Sequence, residues 1–333
     1  MIPPARQWAI QIDVCNVCDK SCSNCTRLLD HATKDTRYLM SVECFERAVC
    51  AVKDFLTDSP PSARGQRKVL GIIGGEPLLH PQFPDLVDVM IREVPQVYHR
   101  GLWTSKDWKT GAHPKWGSYR AQVERLLGPE PTGNGSGPSE KHACGFLNWN
   151  MHLESMQVQH QPLLVASLDA VPDPVERWAL IERCWVQRSW SSTCTPKGFF
   201  FCEVAAHFDM VFEGPGGLPL EPGVWRGALD FETDADGVRR PVGPYAEQIL
   251  RSCERCGAAV PMPGRRDSEN TDDISLTNFV PLQALQSPRI RRGEFVLHEH
   301  PERLRQRKGW KPGKYVRGAK HEDQSLAAQQ ERA

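Results

Sequence analysis

Apolar and polar positions along the chain fall into short blocks of differing period. RQWAIQIDV, residues 6–14, is apolar and β-branched and predicts a strand. SVECFERAVCAVKDFL, residues 41–56, repeats Cys44, Ala48, Ala51, Val52 and Phe55 at helical spacing behind a serine able to cap it. That pattern predicts a helix, with Cys44 and Cys50 simply buried. KVLGIIGGEPLLHP (68–81) predicts a second strand, FPDLVDVMIREV (83–94) a second helix and VYHRGLWTS (97–105) a third strand. Strand and helix alternating at this spacing is the pattern of βα units on a parallel sheet.

The rhythm then breaks. Residues 106–142 are rich in Gly, Pro and Ser, which predicts an exposed loop or lid. Further strands are expected at 145–154 and 161–171, an Asp-capped helix at 173–185, and a strand pair in CTPKGFFFCEVAAHFDMVF. The rest of the chain to about residue 260 reads as loop. Residues 301–320 carry eight Lys/Arg against one Glu, and the last dozen residues are polar and of low complexity.

Composition narrows the class. With 333 residues, 40% of them apolar, the chain supports a sizeable core, and its formal net charge of zero is not that of a dedicated nucleic-acid or membrane-surface binder. No apolar run approaches the length of a membrane span, and the first residues lack a signal-peptide pattern, so a cytoplasmic location is expected. There are twelve cysteines, too many for ordinary packing yet too sparse for a secreted disulfide scaffold. Their clustering points to metal ligation.

Four of them lie in VCNVCDKSCSNCTR, residues 14–27, directly after the first predicted strand. Leaving Cys15 aside, Cys18-x-x-x-Cys22-x-x-Cys25 offers three thiolates, which suits a [4Fe–4S] cluster with one iron open to an external ligand. A zinc knuckle using all four would need a longer gap between its two pairs.

These residues resemble the radical S-adenosylmethionine (radical SAM) enzymes, whose hallmark is C-x-x-x-C-x-x-C after the first strand of a partial βα barrel. Their second hallmark, a Gly-Gly-Glu-Pro turn after the second strand, is matched by Gly74, Gly75, Glu76 and Pro77. The resemblance implies that Cys18, Cys22 and Cys25 hold the cluster and that the backbone and carboxylate at Gly74–Glu76 receive the SAM ammonium. It also implies ribose and methionyl contacts from Thr104, Ser105, Ser167 and Asp169 at the ends of later strands. Such enzymes cleave SAM reductively to a 5′-deoxyadenosyl radical, with electrons from a reductase such as flavodoxin or ferredoxin. One departure is Asn24, where the family often places an aromatic residue.

Cys184, Gly198, Cys202 and Cys253-x-x-Cys256 resemble the twitch module, the half-size form of the SPASM domain, in which four cysteines ligate one auxiliary [4Fe–4S] cluster. Cys194 is an alternative to Cys184 as first ligand, and structural zinc an alternative occupant. Cys144 and Cys194 are otherwise candidate hydrogen donors to a substrate radical. The histidines (His142, His152, His160, His207, His298, His300) show no metal spacing and read as surface or core residues. Glu203 and Asp209 read as solvated or capping.

The expected fold is α/β: a partial (β/α)6 barrel over 1–180, a twitch-like domain over 181–262, and a C-terminal extension over 263–333 ending in a basic, flexible tail. The expected substrate is a small polar molecule such as a carbohydrate, aminocyclitol or nucleoside, oxidised, epimerised or rearranged. Peptide modification is the alternative within enzymes. The alternative outside them is a non-catalytic iron–sulfur or zinc protein meeting nucleic acid through the basic tail, where Trp310 and Tyr315 lie.

Overall fold

The computed structural model describes residues 1–131, 144–152 and 158–306. Its first half follows the hydrophobic blocks closely: β1 (Ala9–Asp13), α1 (Val42–Val52), β2 (Val69–Ile73), α2 (Phe83–Glu93), β3 (Arg100–Thr104), α3 (Tyr119–Leu127) and β4 (Phe146–Trp149). Ser41 caps α1 as its position suggests, its hydroxyl accepting from the Cys44 amide at 3.2 Å. Phe45, Ala48, Val49, Ala51 and Val52 form the buried face of α1, whereas Cys44 and Cys50 stay partly exposed.

All five residues of β1 and all five of β2 are buried, as befits strands covered on both faces. β1 pairs in parallel with β2, β2 with β3 and β3 with β4, while α1 packs on α2 and α2 on α3.

The second half contributes α4 (Ser167–Ala170), α5 (Pro174–Glu182), β5 (Ser191–Thr195), β6 (Gly198–Phe200), α6 (Glu203–Val211) and α7 (Ala246–Ser252). β5 lies parallel to β1 on the side away from β2, and β6 folds back antiparallel on β5. The sheet order is therefore β4-β3-β2-β1-β5-β6, six strands, mostly parallel. Because β5 and β1 share this sheet, the boundary expected near residue 180 does not divide the sheet from a separate module.

Three segments differ from expectation. Within 106–131 the chain forms a small hairpin and then α3, which the Ser118 hydroxyl caps and whose Val123, Leu126 and Leu127 are buried; the rest of the expected loop falls on 132–143, outside the described residues. Residues 161–171 are not a strand: Leu164 makes a single bridge to Ile274, and Ser167–Ala170 is helical. A short apolar run does not by itself separate strand from buried helix. The strand pair read over 194–212 ends at Phe200, and α6, buried along its whole length, follows.

Residues 263–306 of the expected C-terminal extension are folded against the first cysteine loop. β7 (Asp272–Ser275) and β8 (Phe295–His298) pair in parallel, with α8 (Leu276–Ala284) between them. Only residues 307–333, with Trp310 and Tyr315, lie outside the described part of this extension. No helix among the described residues is long and apolar enough to cross a membrane.

Candidate metal centres

The Cys18–Cys25 loop leaves the end of β1 and docks on the Gly74–Pro77 turn that leaves β2. The Gly75 amide donates to the Cys15 carbonyl at 2.6 Å and the Glu76 amide to the Val17 carbonyl at 2.8 Å. A Cβ on Gly74 would lie 2.6 Å from the Cys15 carbonyl oxygen, and one on Gly75 2.4 Å from that of Val17. Both glycines therefore serve the close approach of the two motifs to each other. Cys15 is buried in this contact, its thiol pushed up to about 12 by burial and then by the Asp13 charge.

Glu76 is fully buried. One carboxylate oxygen accepts from Thr104 Oγ1 at 2.7 Å and the Leu78 amide at 3.1 Å, the other from the Ser105 amide and Ser105 Oγ, each at 2.7 Å. A carboxylate has about four lone-pair sites, and all are used. Glu76 thus fixes Thr104 and Ser105, which do sit at the end of β3, and it offers a partner ammonium its charge rather than a free lone pair. Pro77 opens the short 3-10 turn Pro77–Leu79 that this carboxylate caps.

Cys18, Cys22 and Cys25 are part-buried, and all three thiols are held above their ordinary range, Cys18 at about 12. Burial is the main cause, and Cys18 and Cys22 each feel Cys25 as a like charge. The three sulfurs are thus electrostatic neighbours whose ionisation calls for a cation.

Asn24 has φ +48°, in the left-handed region that asparagine tolerates. Its side chain bonds Asp273 twice, Nδ2 to Oδ2 at 2.8 Å and Oδ1 from the Asp273 amide at 2.9 Å. Tethering, then, is its work. Arg289, fully buried, donates to the carbonyls of Cys22 (3.0 Å) and Ser21 (3.2 Å) and to Asp30 (2.9 Å). His31 links Asp272 and Ser287, both at 2.8 Å. These contacts span more than two hundred residues of sequence, and no spacing rule announces them.

The second set converges from distant segments. Cys184, Cys202 and Cys256 are buried and Cys253 partly so, and each thiol is raised by burial; Cys253 and Cys256 both feel Cys184 and Cys202 as like charges. Cys202 stands at about 12. Cys184 is the N-cap residue of the short helix Trp185–Ser189, Cys202 that of α6, and Cys256 that of a 3-10 turn whose Ala258 amide donates to its sulfur at 3.4 Å. Unsatisfied N–H groups at such ends favour thiolate. Cys184 rather than Cys194 joins this set. Cys194 lies in the core with Cys44 as its electrostatic neighbour, on the α1 side of the sheet.

Cys144, beside Gly128, precedes the edge strand β4 at its N-terminal end, whereas the Cys18–Cys25 loop follows the C-terminal end of the inner strand β1. Neither Cys144 nor Cys194, the candidate hydrogen donors, therefore lies beside a candidate centre. Ser167 and Asp169 also leave the expected strand-end position: Ser167 Oγ donates to the carbonyls of Cys253 and Glu254, both at 3.0 Å, and Asp169 accepts from the amide and hydroxyl of Thr277. Ser167 thereby braces the Cys253–Cys256 turn, and Asp169 the start of α8.

Charged residues link the two sets. Arg27, two positions after Cys25, pairs with Glu203 at 3.4 Å, one position after Cys202, and lies 3.9 Å from Asp13. His207 on α6 meets Asp13 at 2.9 Å. Glu203 and Asp209, expected to be solvated or capping, are both buried and ion-paired, Glu203 with Arg27 and Asp209 with Lys197 and Arg251. All twelve cysteines are free. No family model matches the chain, and no curated protein matches it either.

Proposed function

We propose that the protein is a radical SAM enzyme acting on a small polar substrate. The observation that carries this reading is the docking of the cysteine loop onto the Gly74–Pro77 turn, amide to carbonyl, with a buried carboxylate beneath it. A protein using these thiols only for a structural ion has no need of that turn. Cys18, Cys22 and Cys25 would hold the SAM-binding cluster, and Cys184, Cys202, Cys253 and Cys256 an auxiliary one. The donor sets fit: three neighbouring thiols in a part-open loop, and four largely buried thiols at helix ends that favour thiolate.

When bound, the first cluster supplies the electron that cleaves SAM to a 5′-deoxyadenosyl radical. The chain's own part is to orient and exclude water. Glu76 locks the hydroxyls of Thr104 and Ser105 at the sheet's C-terminal end and places a negative charge where the ammonium of SAM would bind. Arg27, Asp13, Glu203 and His207 form a buried, charged cluster linking the two thiol sets, and polar surroundings of this kind would suit a hydroxylated or amino substrate better than an apolar one.

The test is anaerobic reconstitution with iron and sulfide, followed by dithionite and SAM, with 5′-deoxyadenosine as readout. Its formation is expected in the absence of substrate and should rise with a hydroxylated or amino substrate; none at full iron loading would overturn the reading.

A further inference from the structure

Beside the three-cysteine loop lies a mixed donor set that no sequence spacing connects. Cys22, His152 and Asp267 place one ligand atom each within 4.8 Å of one another. His152 Nδ1 and Asp267 Oδ2 are already 2.6 Å apart. Asp267 is buried, and His152 has φ +50°, a backbone state that sets its ring beside the loop.

The surroundings are built to hold these groups in place. The Ser23 amide donates to the Asp267 carbonyl at 2.9 Å, the Ser23 carbonyl meets His160 Nδ1 at 2.8 Å, and Ser23 Oγ accepts from the Thr271 amide at 2.9 Å. The Asp267 amide in turn donates to the Val158 carbonyl at 3.0 Å. The residue after Cys22 is thus pinned to the backbone of Asp267 itself, so thiol and carboxylate form one unit. Outer contacts of this kind orient ligands and hold affinity.

We propose that Cys22, His152 and Asp267 form a mononuclear binding site for a divalent ion of the zinc class, occupied when no cluster is present. Sulfur, imidazole nitrogen and carboxylate oxygen together suit an ion of borderline softness. Around such an ion these atoms stand about 3–4 Å apart, so the Cys22 sulfur draws in by up to about 1 Å while the His152–Asp267 pair opens slightly to admit the ion. Charge balances as well: the ion binds a thiolate, a carboxylate and a neutral imidazole, the Cys22 proton passes to solvent, and the buried site is left neutral. Three protein ligands leave a position for water. Because Cys22 serves both sites, ion and cluster exclude each other. This inference does not rest on SAM chemistry.

Cobalt(II) is the probe, titrated anaerobically into the full chain freed of iron and sulfide, with sulfur-to-metal charge-transfer absorption read alongside stoichiometry. The wild type should bind about two equivalents, one at the four buried thiols and one, of weaker charge transfer, at this site. Cys22→Ser, His152→Gln and Asp267→Asn should each bind about one, whereas Cys18→Ser and Cys25→Ser keep both. His152→Cys should restore the lost equivalent with stronger charge transfer. Since the His152 side chain is 18% exposed, its replacement decides the matter should Asp267→Asn fold poorly. Wild-type binding by His152→Gln overturns the proposal, and so does loss of the second equivalent in Cys18→Ser, which would assign the ion to the three thiolates. SAM cleavage by reconstituted wild type is scored separately, so failure of either reading leaves the other standing.

Discussion

The two cysteine sets reach comparable chemistry by opposite routes. The first is a loop of eight positions, Cys18 to Cys25, part-exposed and built by local sequence; its partners are a turn from the next strand and an extension from the far end of the chain. The second gathers four thiols over more than seventy positions, each at or beside a helix end, in the same core that packs the sheet. A three-thiolate loop leaves a cluster room for an outside ligand, while four closed thiolates do not. Spacing in sequence marks the first thiol set, whereas the second is defined by tertiary convergence; on the proposed reading the first would be the reactive centre and the second its support.

The strongest way to break the comparison is by deletion within the first set. Cys18→Ala, Cys22→Ala or Cys25→Ala should abolish 5′-deoxyadenosine formation, and Cys15→Ala, altering a packed thiol, should retain it; retention in Cys18→Ala would place the motif in the wrong register.

The extension supplies the next largest effect. Arg289→Met removes a buried cation from Asp30, Asp272 and two loop carbonyls, and should cost about 3–5 kcal/mol in chemical denaturation. A change below about 1 kcal/mol would show that the extension does not brace the loop. Gly75→Ala comes third. Its Cβ would lie 2.4 Å from the Val17 carbonyl oxygen, and the overpacking should cost about 1–3 kcal/mol while weakening SAM binding before iron content changes.

The smallest effect sharpens the contrast through pH. Burial alone would raise Asp273, but His298, Arg265 and Asn24 outweigh it and hold the carboxyl at about 2, against an ordinary 3.8. Its contribution to stability is present above the ordinary value and is lost as pH falls through about 2. Limited proteolysis of the 263–306 segment should therefore rise as pH drops from about 4 to about 2, measured with an acid-stable protease, and Asp273→Asn should flatten that rise.

Much of the first region was legible because its signals are local. β1 to β3, the Ser41 cap, the Gly-Gly-Glu-Pro turn and the cysteine loop each occupy a short window, and Thr104 and Ser105 fall at a strand end as read. α3 was hidden because Gly, Pro and Ser nearby outweighed YRAQVERLL, whose Val123, Leu126 and Leu127 keep helical spacing. Asp267, Asp272, Asp273 and Arg289 carried no signal at all. A charged residue in a polar stretch reads as solvated, and its burial depends on partners near residues 22–31, supplied only by the fold. His152 reads as a surface or core residue for the same reason, since it is more than a hundred residues from both Cys22 and Asp267.

EPR of the dithionite-reduced, reconstituted protein with and without SAM, alongside iron content, distinguishes one open centre from one closed. The wild type should hold about eight irons, and SAM should shift the signal of one cluster only. Cys253→Ala/Cys256→Ala should keep about four irons and the shift, whereas Cys18→Ala should keep about four and lose it. A SAM-dependent shift that survives in Cys18→Ala, or one that disappears in Cys253→Ala/Cys256→Ala, would contradict the assignment.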